Sequence, residues 1–105
     1  MLWDYPSLGK LCEVADQRGL DVLGLFGWAQ GGHDHLYPDY HPDPKMGGEQ
    51  ALRQALKEVR RLGKRSILYA NGQLQERDTE FWQTQGQHLA VIQRDGVSVQ
   101  ERWHK

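Results

Sequence analysis

Apolar residues at the start of the chain recur with a helical period. Leu8, Leu11, Cys12 and Ala15 fall at i, i+3, i+4 and i+7, one face of an α-helix. The spacing predicts a helix over residues 7–18, with Ser7 as cap and Gly19 as stop. The pattern then changes. Residues 20–28 form a nearly continuous apolar run with no polar alternation after Asp21, as in a parallel strand covered on both faces. A second helical stripe follows at Ala51, Leu52, Ala55, Leu56, Val59 and Leu62, predicting a helix over residues 49–62. Glu49 and Arg53 add an i, i+4 ion pair to it. Residues 66–71 read as a second buried strand. Strand, helix and strand in this order make a βαβ unit with parallel strands. A short helix is expected over residues 79–85, with Asp78 or Thr79 as cap. Two strand-like runs, 88–94 and 97–103, flank Asp95-Gly96, a strong β-hairpin signal.

Residues 29–47 break this economy of short connections. Loops between strand and helix usually span about 2–6 residues, whereas this one spans nineteen positions. It holds Pro38, Pro42 and Pro44, the aromatic residues Tyr37 and Tyr40, the histidines His33, His35 and His41, and the carboxylates Asp34, Asp39 and Asp43. Such a loop is too rich in rigid residues for a flexible linker. Ligands of parallel α/β sheets and barrels bind at the carboxyl ends of the strands. Trp28 and Asn71 are the expected last residues of the two strands, on the same rim as the loop. An indole can cover the apolar face of a pyranose while Asp and Asn side chains bond its hydroxyls. The substrate contacts expected on this rim are Trp28, Gln30, His33, Asp34, Tyr37, Asp39 and Asn71. A metal site is the sharpest rival, with His33, His35 and His41 as ligands. The third reading is a polar loop that merely organises turns through Asp39 and Asp43.

Composition narrows the classes. The chain has 105 residues, 38% hydrophobic and 26% charged, enough for one modest core. Its 13 basic and 14 acidic residues give a formal net charge of -1. No charge field favours nucleic acid or an anionic membrane, and neither partner is expected. Arg60, Arg61, Lys64 and Arg65 form a basic cluster at a helix end, where cations suit the helix dipole. Cys12 is the single cysteine, so an internal disulfide is excluded. No apolar run reaches the length of about 20 residues that spans a bilayer, and the first residues lack a signal-peptide pattern. No cofactor is indicated, and no Ser-His-Asp arrangement or nucleophile elbow is present.

The order of motifs resembles a known group. Phe26-Gly27-Trp28-Ala29-Gln30-Gly31-Gly32-His33-Asp34, then Tyr37-Pro38-Asp39-Tyr40, then Asp43-Pro44-Lys45-Met46-Gly47-Gly48, and later Ser66-Ile67-Leu68-Tyr69-Ala70-Asn71-Gly72, are similar to uncharacterised glycoside-hydrolase-like (β/α)8 barrels. The resemblance implies a polysaccharide-related protein with carbohydrate as partner. A whole barrel needs about 250 residues. It therefore implies that residues 1–105 are a single partial domain, a partial TIM-barrel segment of α/β class with a parallel βαβ core and a C-terminal β-hairpin. The catalytic carboxylates of such a hydrolase would lie outside these residues, leaving the chain alone inactive. Unpaired sheet edges would make it self-associate.

Overall fold

A computed structural model describes residues 3–33 and 35–99. The chain enters through a 3-10 turn, Tyr5–Ser7, closed by a reciprocal cap. The Asp4 carboxylate accepts from the Ser7 amide at 3.1 Å, and the Ser7 hydroxyl accepts from the Asp4 amide at 3.2 Å. Ser7 thus serves this turn and makes no side-chain cap on the helix that follows, α1 (Leu8–Gln17). Leu8, Cys12 and Ala15 face the core from α1. Gly19, at φ +69°, reverses the chain, and the amides of Gly19 and Leu20 close on the carbonyls of Asp16 and Ala15.

Two strands follow the pattern of apolar runs but are shorter than expected. Strand β1 (Val22–Leu25) pairs in parallel with β2 (Arg65–Leu68), Val22 opposite Arg65 and Leu25 opposite Leu68. Helix α2 (Gly48–Arg61) lies between them in sequence and buries Leu52, Ala55 and Val59. It packs on α1, on β2 and on the Tyr5–Ser7 turn. Tyr5, Leu8, Cys12, Leu25, Met46, Leu52, Ala55 and Val59 form the core. Two members of the basic cluster at the end of α2 are paired. Arg61 binds Glu58, and Lys64 is buried with its ammonium 2.9 Å from Asp16 and 3.7 Å from Asp21. The hydrogen bond to Asp16 raises the Lys64 pKa, and the contact ties the end of α1 to the start of both strands.

The sheet overturns the expected fold class. The described residues form a small α/β structure with two parallel strands and three α-helices, not a TIM-barrel segment. Among the described residues neither strand has a second neighbour, so no barrel wall is begun. The strands are also covered on one face only. Leu23, Leu25 and Leu68 pack against the core, while Val22 and Ile67 point outward, Ile67 60% exposed. A barrel strand is covered on both faces.

Among the described residues the expected C-terminal β-hairpin is also not formed. Residues 82–89 are helical, with a π-helical turn at Trp82–Gly86 running into α3 (Gln87–Leu89). The Thr79 hydroxyl accepts from the Trp82 amide at 3.1 Å and so caps this segment. The first expected hairpin strand therefore begins inside a helix. The Asp95-Gly96 turn does form, with Gly96 at φ +86°, but it is flanked by one isolated antiparallel bridge, Ile92 to Ser98. Val91, Ile92, Val97 and Val99 are all at least half exposed. A two-stranded ribbon with no apolar surface beneath it is marginal in water, which accounts for the single bridge. Residues 100–103 of the expected second strand lie outside the described residues.

The described residues spread over 55 × 26 × 22 Å, with a radius of gyration of 17.0 Å. A compact domain of this length has about 13 Å. Among the described residues no helix is long and apolar enough to cross a membrane.

Candidate functional site: an aromatic platform at the carboxyl ends of the strands

The long loop is closed at its neck. Ala29 and Pro42 form an antiparallel bridge, and the Gln30 amide donates to the His41 carbonyl at 2.8 Å. Beneath the neck, the fully buried Tyr5 side chain joins both loop ends. Its hydroxyl donates to the Trp28 carbonyl and accepts from the Asp43 amide at 2.7 Å. Burial pushes the Tyr5 phenol pKa up, partly offset by the Asp43 amide. Above the neck, Gly31 and Gly32 take φ of +92° and +85°, Leu36 takes +57°, and Tyr37-Pro38 is cis.

Several expected contact residues hold the loop together instead of facing outward. The Trp28 indole N–H donates to the Tyr69 carbonyl at 2.9 Å, and its ring stacks on Tyr40 at 5.8 Å between centroids. The Asp39 carboxylate accepts from the Glu80 and Phe81 amides at 2.7 and 3.4 Å, anchoring the loop to the last helical segment. The Asn71 side-chain oxygen accepts from the Gln73 and Leu74 amides, each at 2.9 Å, while the Asn71 amide donates to the Tyr40 hydroxyl. Tyr37 is buried, and its carbonyl accepts from the Glu76 amide at 2.9 Å. Gln30 and His33 are exposed. Asp34 lies outside the described residues.

The alternative metal ligands do not converge. His33 sits among aromatic rings, His35 faces Glu76 at 3.8 Å, and His41 flanks the neck. Among the described residues no three His, Cys, Asp or Glu side chains form a metal-binding group.

The structure instead brings His33 to two rings that belong to the apolar runs expected to form buried strands. Phe26 is one residue beyond β1 and 61% exposed. Its ring stacks on His33 at 5.6 Å with an interplanar angle of 23°, and meets Tyr69 edge-on at 5.1 Å. His33 and Tyr69 are 4.9 Å apart. The three rings form a platform at the carboxyl ends of both strands. The strand period gave the missing signal. Val22, Gly24 and Phe26 lie on one face, so Phe26 points away from the side on which Leu25 is buried. At Gly24 a β-carbon would meet nothing within 4 Å, so the surface beside the rings is bare.

Phe26 offers an apolar face that water covers poorly, and His33 and Tyr69 add polar tips beside it. Comparison with curated proteins and with solved structures gives no match. Residues 8–104 match the family described as Domain of unknown function (DUF6259), and the chain belongs to that family.

Proposed function

We propose that this chain binds carbohydrate on the Phe26–His33–Tyr69 platform. The observation that carries the reading is the exposed Phe26 ring, set between a histidine and a tyrosine at the carboxyl ends of the two strands. The C–H face of a pyranose matches the apolar ring, while its hydroxyls reach imidazole and phenol groups at the edge. The resemblance of the surrounding motifs to glycoside-hydrolase-like proteins supports the same ligand class. Binding without turnover is the activity proposed for these residues. The Asp39 and Asp43 carboxylates each accept backbone amides, so their oxygens serve the loop and not an acid–base pair.

The test is a glycan screen followed by titration of the Phe26→Ala variant. Phe26 is largely exposed, so the variant should keep its circular dichroism spectrum and melting temperature. Affinity for the bound glycan should fall at least tenfold. Glycan binding that Phe26→Ala leaves intact, or no binding across a broad screen, would overturn the reading.

A further inference from the structure

Asn71 is the single asparagine of the chain, and Gly72 follows it. The pair lies just beyond β2, with its atoms arranged for a reaction between neighbours. The Asn71 side-chain oxygen accepts from the Gln73 and Leu74 amides, each at 2.9 Å. These two N–H donors draw charge from the side-chain carbonyl and leave its carbon, Cγ, more electrophilic. They also stand where negative charge develops on that oxygen in a tetrahedral state, as the donors of an oxyanion hole do. Among the described residues neither the side-chain nitrogen Nδ2 nor the Gly72 amide makes a hydrogen bond. Gly72 is exposed, and a β-carbon there would meet nothing within 4 Å. Its nitrogen is unhindered by any side chain. Asp95-Gly96 makes the contrast. There the Gly96 amide is engaged with the Gln93 carbonyl at 2.9 Å, and a carboxylate resists attack because it already carries negative charge.

We propose that Asn71 is a self-modification site, at which the folded chain converts its own side-chain amide to a carboxylate through a cyclic imide. Hydroxide takes the Gly72 amide proton, and the nitrogen attacks Asn71 Cγ. The new N–Cγ bond closes a five-membered ring. The Cγ–Nδ2 bond breaks, and the nitrogen leaves as ammonia after taking a proton from water. Water then opens the imide at either carbonyl, giving aspartate or isoaspartate. The reaction is a substitution followed by hydrolysis, and water is its only co-reactant. Both products add one negative charge. Isoaspartate also routes the main chain through Cγ, inserting one carbon before the Gly72 nitrogen. The oxygen that the Gln73 and Leu74 amides bond then belongs to the peptide link. The Asn71 amide donates to the Tyr40 hydroxyl, and Tyr40 stacks on Trp28. The change therefore falls where the long loop is tied to the end of the sheet.

The experiment is prolonged incubation of the full folded chain at mildly alkaline pH, followed by isoelectric focusing and peptide mapping. A species with one added negative charge should accumulate, and its new carboxylate should map to residue 71 as a mixture of aspartate and isoaspartate. Gly72→Ala, at a position with free space and no positive φ, should slow the conversion about tenfold, because a β-carbon shields the attacking nitrogen. Asn71→Gln should abolish it over the same period, since ring closure then needs a larger imide. An Asn71 that stays intact in the folded chain while the urea-unfolded chain converts overturns the proposal, because the turn then protects the amide. So does conversion that Gly72→Ala leaves at the wild-type rate, or its absence from folded and unfolded chains alike.

Discussion

Tyr5 concentrates much of the local polar bonding in one atom. Its hydroxyl donates to the Trp28 carbonyl and accepts from the Asp43 amide, groups fifteen residues apart at the two ends of the long loop. Replacing it by phenylalanine keeps the ring in the core and leaves both backbone groups unpaired. Such a loss costs about 1–3 kcal/mol, so Tyr5→Phe should lower the unfolding free energy measured by urea denaturation by that amount at neutral pH. Amide exchange should also quicken at Asp43, while the amides of α2 exchange as before. The same burial gives a pH signature. The folded Tyr5 pKa is raised, so the neutral phenol is the form that fits, and an unfolded phenol ionises first, from about pH 10. Stability is therefore fully present below that pH and lost as pH rises toward the folded value. Cys12, also raised mainly by burial, adds a loss that begins nearer pH 8.5. Unfolding measured from pH 7 to 11 should show a steady decline, shallower in Tyr5→Phe. A flat profile, or equal slopes in both proteins, would mean that Tyr5 does not control it.

The start of α2 supplies the clearest prediction among the elements. Gly47 sits at φ +127°, and a β-carbon there would lie 2.6 Å from that of Ala51. Its neighbour Gly48 also has positive φ, at +79°, but nothing lies within 4 Å. Gly47→Ala combines backbone strain with a clash and should cost about 3 kcal/mol. Gly48→Ala carries strain alone and should cost about 1–2 kcal/mol. Urea denaturation of the pair isolates the clash, and equal midpoints would refute it. Helices were the most legible elements in the sequence, because their apolar stripes are local. Leu52, Ala55 and Val59 are spaced for one face and are buried on it. The long loop on the strand carboxyl rim was legible for the same reason: it stands out by length alone. Of the three rings clustered beside it, His33 was expected there, and Phe26 and Tyr69 were not. Trp28 read as a ligand surface, but its indole bonds the Tyr69 carbonyl, 41 positions away. Phe26 and Tyr69 read as core or passed unremarked because the apolar run implied a strand covered twice, and only one face is covered. Sheet extent and cover are tertiary facts that no local period encodes.

For the whole molecule, the open sheet matters most. Among the described residues β1 and β2 each pair only with the other, which leaves one edge of each strand with unpaired amides and carbonyls. Beside those edges Val22 and Ile67 are exposed on the uncovered face, and the radius of gyration exceeds that of a compact chain of this length. Charged side chains, especially lysine, are the usual protection of an edge strand. Here β2 carries Arg65 at its start and Ile67 near its end, so its second half is unprotected. Association through the sheet is the expected consequence, since a second chain can supply the missing hydrogen bonds and cover Ile67 together. Sedimentation velocity over a concentration series should show the weight-average mass rising with concentration. Ile67→Lys, at a position too exposed to disturb the core, should return the chain to a monomer with unchanged circular dichroism. The same variant should retain glycan binding, because the lysine lies two residues before Tyr69 and leaves the platform rings in place. A wild-type chain that stays monomeric at its highest concentration, or association undiminished in Ile67→Lys, would place the contact elsewhere than on this sheet.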